Sequence, residues 1–334
     1  RKLATYSDNS LTPGGLSELA LEEIDLVRGL MFEVAADWWS ETKPGQAVPD
    51  KQALLDAALA AMEEDRSDNR KDFLKEFSDA TDRAIDFVRE HDLATLPENH
   101  KIVVDMYPTH HSHATIGGVY PPGPFDPGAP TLLYLPSVAD DAPQEARDGF
   151  YRSFNEHFNL MIVPHELFPG HDMQFKVGLE YAPKIRALFH NQYYSEGWAS
   201  LSEIIMLNVG WADGNKLTLL AHYRKRLENA TRAFISVMVH TQGWDKEQVM
   251  EFASTRGQLP PQFAENLWYR ASGLYNALQL TSYFVGSHHI KEIWEQEKQR
   301  LGDKFVQKDF IDTVLRTGSV SMASLREIVQ QQQP

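Results

Sequence analysis

Apolar side chains recur at intervals of three and four residues along most of the chain, which is the spacing of one face of an α-helix. The pattern is clear from Leu16 to Thr42 and is repeated at Asp50–Glu64 and Asn69–His91. Pro44-Gly45 would end the first of these helices. Residues 1–95 are therefore predicted to form a helical scaffold whose apolar stripes belong to the core.

The rest of the chain continues the helical pattern, with Pro and Gly marking several of the ends. Pro164 is expected to open its helix, where the first N–H groups have no partner, and Pro183 is expected to interrupt another. The predicted segments are Ala142–Asn159, Leu160–Phe168, Met173–Phe189, Ser195–Asn208, Asn215–Thr241, Lys246–Thr255, Pro261–Ser287, His289–Arg300 and two short helices up to Gln330.

Two short segments, Lys101–Tyr107 and Thr131–Leu135, are rich in strand-forming residues and flank a Pro- and Gly-rich loop. A small sheet there could hold a peptide by adding it as an edge strand. The loop contains three histidines, at 110, 111 and 113, which are too close in sequence to converge easily on one ion. We interpret it as a solvated or substrate-facing loop. The chain is thus predicted to be mainly α with a small β insertion, and residues 96–334 to form either a second lobe or one domain with the scaffold.

Composition narrows the classes of function. A hydrophobic content of 42% and an aromatic content of 11% are typical of an ordered globular protein. The net charge of −15 argues against nucleic acid and anionic membrane surfaces as partners. The absence of cysteine excludes disulfides and thiolate ligands, so a metal would need His and carboxylate ligands. Oligomeric state stays open.

The chain carries no run of 18 apolar residues and no signal peptide, which predicts a soluble protein without a membrane span. Its first residue is Arg rather than Met, so we expect a processed or truncated product. Both an exported and a cytoplasmic location are compatible with these features.

Candidate chemistry is concentrated in VPHELFPGHDMQ, Val163–Gln174. In H-E-x-x-H zinc sites the two histidines lie four residues apart on one helical face. Here Pro169 occupies the fourth position after His165, and His171 follows six residues on. An unbroken helix would point His171 about 120° away and about 9 Å along the axis. Pro169 and Gly170 are expected to break the helix, and the break could bring His171 back toward His165.

Carboxylates complete the candidate site. Glu166 is the natural general base, because it neighbours a candidate ligand and points at a different angle. Glu196 and Glu203 share one stripe of the following helix, so either could be the third ligand. Glu196 is preferred because it lies in the first turn next to Gly197. Spacing alone leaves an ordinary solvated acidic face equally open.

The same residues resemble a known family. HELFPGHDMQ and SEGWAS are similar to the H-E-x-x-P-G-H-x-x-Q and E-G-W-A signatures of the bacterial family domain of unknown function 885, whose members resemble gluzincin-type metallopeptidases. The resemblance covers about residues 80–330. Ser236 departs from it, since the family usually has Asp there, and the segment before Gln279 lacks the usual Arg-Tyr and Pro-Gly pattern.

The resemblance implies a multi-helix, zincin-like architecture with one Zn²⁺ ion per chain. It implies metal ligands at His165, His171 and Glu196, and a general base at Glu166. It also makes His240 and Tyr283 candidates for binding the substrate or the oxyanion of the reaction. A zinc metallopeptidase acting on a peptide or small amide is the expected function.

Two other functions are compatible with the residues. Two histidines and one carboxylate also form the iron site of non-haem oxygenases, and a non-catalytic, metal-binding helical protein is the other alternative. Arg224, Arg226 and Arg232 lie on the predicted helix after the Glu196 helix. One of them could bind a peptide's terminal carboxylate, although ion pairing with nearby acids is the ordinary interpretation for each.

Overall fold

In the computed structural model, residues 10–108, 117–273 and 277–331 are described, together with Leu3 and Ser7. The three-histidine loop at 110, 111 and 113 lies outside the described residues. The division of the chain near residue 95 stays a prediction.

The N-terminal part consists of three helices, α1 (Pro13–Thr42), α2 (Lys51–Glu64) and α3 (Arg70–Glu90). Each begins where the side chain of the preceding residue accepts hydrogen bonds from backbone N–H groups of the first turn; these residues are Thr12, Asp50 and Asn69. The helical scaffold predicted from the apolar pattern is confirmed.

The sheet has three strands, β1 (Ile102–Met106), β2 (Gly118–Tyr120) and β3 (Thr131–Leu135). β3 is central, parallel to β1 and antiparallel to β2. The sequence predicted β1 and β3 but not β2, which lies between them along the chain. β2 is only three residues long and is followed at once by two prolines.

Helices form the remainder. They are α4 (Gln144–Ser153), α5 (Glu156–Glu166), α6 (His171–Tyr181), α7 (Lys184–Leu188), α8 (Gln192–Val209), α9 (Lys216–Gln242), α10 (Lys246–Thr255), α11 (Pro261–Ser272), α12 (Ala277–Leu301), α13 (Gln307–Thr317) and α14 (Met322–Gln331). The fold is mainly α with a small mixed sheet, as predicted.

Pro164 does not open a helix, which corrects the expectation. The predicted helix 142–159 ends at Ser153, and Asn155 caps a new helix, α5, that carries Pro164 in its last turn. A proline there removes the N–H that would bond to the carbonyl of Leu160. That carbonyl instead accepts a hydrogen bond of 2.7 Å from the indole of Trp211. A neighbouring segment thus satisfies the group that Pro164 leaves unpaired.

The break predicted near residue 288 is also wrong, because α12 runs through it without interruption. Gly286 lies within this helix and allows close packing against α8. A Cβ on Gly286 would lie 2.3 Å from the carbonyl oxygen of Tyr193, and one on Gly197 would lie 2.5 Å from the carbonyl oxygen of Gly286. The backbones of α8 and α12 therefore touch where they cross.

A large hydrophobic cluster extends from Leu16 of α1 to Val329 of α14, and a smaller one, which includes Val249 of α10 and Leu267 of α11, lies beside it. α1 packs along α9 and α12 packs along α8. α8 also packs against both α5 and α6, the helices that flank the Pro169-Gly170 segment. No helix among the described residues combines the length and the apolar character needed to cross a bilayer.

Candidate metal centre

Three side chains from three helices converge on one point. His165 lies in the last turn of α5, His171 begins α6, and Glu196 lies near the start of α8. The Nε2 atoms of His165 and His171 are each 3.6 Å from Oε2 of Glu196, and one potential ligand atom from each residue lies within 4.8 Å of the others. Ligands of a tetrahedral zinc ion are separated by about 3.3 Å. The geometry is therefore close to that of a metal site.

A helix break brings the two histidines together, as the sequence predicted. α5 ends at Glu166 and α6 begins at His171, so four residues reverse the chain between them. Gly170 allows this reversal, because a Cβ there would lie 1.9 Å from the carbonyl oxygen of His165. Any other residue would force the two helix ends apart.

Glu196 provides an oxygen without a partner. Its Oε2 is buried and makes no hydrogen bond with any described residue. Burial raises the pKa of the carboxyl, but His165 and His171 outweigh it and hold the pKa well below the usual range. A buried, ionised oxygen between two imidazoles is costly unless a cation or a donor meets it. The donor set of two nitrogens and one oxygen fits Zn²⁺.

Glu203, the alternative third ligand in the sequence, has a different position. Its carboxylate accepts hydrogen bonds from Nδ1 of His165 at 2.7 Å, from Nδ1 of His222 at 2.9 Å and from Nζ of Lys225 at 2.6 Å. Burial raises the pKa of Glu203, but the Lys225 charge and the two histidines outweigh it and lower it. Because Nδ1 of His165 donates to Glu203, Nε2 is the ring nitrogen that faces Glu196 and is left to bind a metal ion.

His222 and Lys225 were missed by the sequence reasoning. Both lie on α9, inside a long amphipathic pattern that gave neither of them a distinctive spacing. His222 is buried, and burial is the largest influence lowering its pKa. Their common contact with Glu203 depends on how α9 lies relative to α8 in the fold, which the sequence pattern does not show.

The carboxylates favour positive charge at His165. Burial and the charge of Lys225 lower the pKa of His165, but Glu196 and Glu203 outweigh both and raise it to about 9. Two buried carboxylates around one imidazole thus stabilise a cation at this point.

Glu166 and Tyr283 lie beside the centre. Glu166 is half-buried at the end of α5, and its charge contributes to raising the pKa of both His165 and Tyr283. Tyr283, on α12, has its pKa raised to about 12, first by the charge of Glu196 and then by burial. Its phenol is therefore protonated at neutral pH and can donate a hydrogen bond.

His240 is not brought to this centre. It lies in the last turn of α9 with its side chain exposed, about 12 Å along the helix axis beyond Arg232. Among the described residues, no hydrogen bond, ion pair or ring contact joins it to the three candidate ligands. The role expected for His240 beside Tyr283 therefore stays a prediction without a contact that supports it.

The three arginines of α9 differ in their partners. Arg224 is 3.5 Å from Glu63, and Arg226 is 2.7 Å from Glu23. The third, Arg232, stacks beside the centre with its Cζ 5.4 Å from the ring centroid of Tyr283. Ion pairing therefore accounts for the first two, as in the ordinary interpretation, and Arg232 also pairs with Glu228 on its own helix.

A pocket of about 180 Å³ borders the centre on the side of His171. It is lined in part by Gln174 and Ser195, and Oγ of Ser195 is 3.3 Å from Nδ1 of His171. Nε2 of Gln174 is buried there and has no partner among the described residues. The pocket offers space and one hydrogen-bond donor next to a candidate ligand.

A second group of His288, His289 and Glu292 also has the residue types of a metal site. Its surroundings do not favour a cation. Nε2 of His289 is within 3.1 Å of Oγ of Ser10, and the guanidinium of Arg326 is 3.6 Å from Glu292.

The chain was compared with known proteins. No curated protein matches it. A solved structure of a candidate lipoprotein of unknown function from Shewanella oneidensis is 24% identical, with a TM-score of 0.87, over 99% of this chain and 58% of that one. A candidate lipoprotein from Colwellia psychrerythraea is 21% identical, with a TM-score of 0.84, over 98% of this chain and 53% of that one.

These likenesses show a shared fold, and the chain spans little more than half the length of either neighbour. A family model matches more of the N-terminal part of the chain than the resemblance described from the sequence, which covered about residues 80–330. The family described as bacterial protein of unknown function (DUF885) matches residues 1–329, and the chain belongs to this family.

Proposed function

We propose that the protein is a zinc-dependent metallopeptidase that hydrolyses a peptide or small amide bond. The observation that supports this most is the convergence of two imidazole nitrogens on the buried, unpartnered Oε2 of Glu196. Three protein ligands leave a fourth position of a tetrahedral ion for substrate or water, as in catalytic zinc sites. A zinc ion held there would polarise a carbonyl and lower the pKa of a bound water toward neutrality.

Glu166 is the proton carrier in this proposal. It accepts a proton from the attacking water while the water oxygen bonds to the carbonyl carbon. When the carbon–nitrogen bond breaks, the same proton passes to the leaving amine, so the carboxylate is restored. The half-buried position of Glu166, next to candidate ligand His165, supports this role.

Tyr283 stabilises the oxyanion that forms on the carbonyl oxygen. A protonated phenol is a suitable donor, and the charge of Glu196 together with burial keeps it protonated. The pocket beside His171 gives room for a substrate side chain. Glu203 orients His165 and does not take part in bond breaking.

Metal analysis of the purified chain by mass spectrometry tests the centre. We expect about one zinc per chain in the wild type and loss of that zinc in His171→Ala and Glu196→Ala. Glu292→Ala, from the second histidine group, is the matched control and should keep it. Absence of bound metal after zinc reconstitution would reject the proposal, and bound iron with oxygen-dependent turnover would favour an oxygenase.

Glu166→Gln tests the chemistry separately. It should retain zinc and lower peptide turnover by about 10²- to 10⁴-fold, because the proton carrier is lost. A Glu166→Gln variant with wild-type activity would remove the assigned base.

A further inference from the structure

Two guanidinium groups from different helices meet at Tyr283. Arg232 of α9 stacks on the ring, with its Cζ 5.4 Å from the centroid. Arg270 of α11 lies close enough to Tyr283 and Arg232 for their charges to affect one another's pKa. Tyr283 in turn is influenced most by Glu196. The arginine pair is therefore separated from the candidate metal centre by one aromatic side chain.

Only one of these two arginines forms a salt bridge among the described residues. Arg232 bonds to Glu228 on its own helix, whereas Arg270 forms no salt bridge with any residue that the structure describes. The internal segments outside the described residues, 109–116 and 274–276, contain no Asp or Glu. The charge of Glu228 also reaches Arg270, and Arg270 bonds to the hydroxyl of Tyr283, so two guanidinium groups share one carboxylate here.

Burial makes the unpaired charge costly. Arg270 is half-buried, and burial followed by the charge of Arg232 lowers its pKa. A buried cation is normally paired. Arg224 and Arg226, which lie on the same helix as Arg232, each have a carboxylate partner. The two arginines at Tyr283 therefore form a candidate anion-binding site beside the centre.

We propose that Arg232 and Arg270 bind the terminal carboxylate of the substrate, so that the enzyme removes residues from the C-terminal end of peptides. This inference rests on the proposed hydrolysis at the His165–His171–Glu196 centre. The planar guanidinium matches a carboxylate through two parallel hydrogen bonds. An internal peptide segment has no such group, and an amidated terminus has no charge.

The distances along a peptide agree with this arrangement. Consecutive Cα atoms are about 3.8 Å apart, so a carboxylate lies within about 4–7 Å of the last or the second-last peptide bond. An anion held on the far side of Tyr283 would place one of these bonds next to the oxyanion donor. Release of one or two residues is the expected product pattern.

The test compares two pools of random hexapeptides, one with free C-terminal carboxylates and one synthesised as C-terminal amides. Zinc-loaded wild type is incubated with each pool, and products are identified by mass spectrometry. We expect shortening from the C-terminus in the free-acid pool and cleavage of the amide pool that is slower by about 10- to 100-fold, the effect of a charge-assisted hydrogen bond.

Arg270→Met should lower the rate on the free-acid pool by about 10- to 100-fold more than the rate on the amide pool, so that the preference for a free carboxylate is lost. The amide pool thus reports whether the variant is still folded and active. Arg270→Lys keeps the charge and should recover part of the preference. Arg224→Met is the matched control and should retain the full wild-type preference.

The outcomes separate the two proposals. Equal cleavage of both pools by the wild type, or cleavage at internal bonds, would overturn the carboxylate site while leaving the hydrolase intact. An undiminished preference in Arg270→Met would overturn it as well. Cleavage of neither pool would reject the hydrolase and the carboxylate site together.

Discussion

Oε1 of Glu203 lies 2.7 Å from Nδ1 of His165, and both side chains are buried. The hydrogen bond fixes the tautomer of the histidine, so that Nε2 faces Glu196. His222 and Lys225 bond to the same carboxylate and hold it in place. A residue that the sequence offered as a ligand is thus a positioning residue for another ligand.

Replacing Glu203 by Gln should weaken zinc binding by about 10- to 100-fold, because outer partners of metal-bound histidines have effects of this size. Competition with a chromogenic chelator measures the affinity. Glu297→Gln is the control, since Glu297 is equally buried but bonds to Arg300. Unchanged zinc affinity in Glu203→Gln would show that His165 needs no orienting partner.

Tyr283→Phe should lower kcat by about 10²- to 10³-fold, the effect of removing an oxyanion donor, and change KM little. Because the pKa of Tyr283 is raised to about 12, its phenol should stay a donor well above neutral pH, and activity should not decline through its ionisation below about pH 10. Steady-state kinetics with the free-acid peptide pool checks both points. Tyr269→Phe, an exposed tyrosine of α11, should behave as wild type; a comparable decrease in both variants would contradict the role.

Gly286→Ala should destabilise the protein by about 1–3 kcal/mol or more, because its methyl group would overlap the carbonyl oxygen of Tyr193. The displacement of α12 from α8 should also lower zinc affinity, since Glu196 lies next to the crossing. Gly29→Ala is the control: no atom lies within 4 Å of its added Cβ, and alanine in a helix is favourable. Urea unfolding of the two variants should give shifts of opposite sign.

Lys176→Met should cost about 3–5 kcal/mol in the free energy of unfolding, because it leaves Asp172 as a buried unpaired charge. Nζ of Lys176 is 2.9 Å from Oδ2 of Asp172, and Thr131 of β3 donates to the other oxygen. The exposed pair of Lys75 and Asp79 provides the control, and Lys75→Met should cost less than about 1 kcal/mol. Similar losses in the free energy of unfolding of both variants, measured by denaturant titration, would show that the buried pair stabilises the fold no more than an exposed pair.

Local patterns predicted much of the fold. The apolar periodicity predicted the helices of the N-terminal part. Pro169 and Gly170 predicted the break between α5 and α6. These features depend on residues near in sequence. The spacing left Glu196 and Glu203 both open as partners of the two histidines, and Glu196 was favoured by its place in the first turn and by the family resemblance.

Other features depend on partners far along the chain. Pro164 is tolerated late in α5 because Trp211 bonds to the carbonyl it leaves free. The site of Arg270 beside Tyr283 depends on the packing of α11 against α12. The role of His240 stays a prediction for the same reason, since the pattern of a long helix does not show which of its turns lies near the centre.

The packing of α1 along α9 has a consequence for the centre, although no residue of α1 is a candidate ligand. Glu23 of α1 bonds to Arg226, which directly follows Lys225, the cation that holds Glu203. The position of Glu203, and through it of His165, therefore depends in part on a helix that begins at residue 13. Substitutions in this helix should alter the geometry of the candidate centre while His165, His171 and Glu196 stay unchanged.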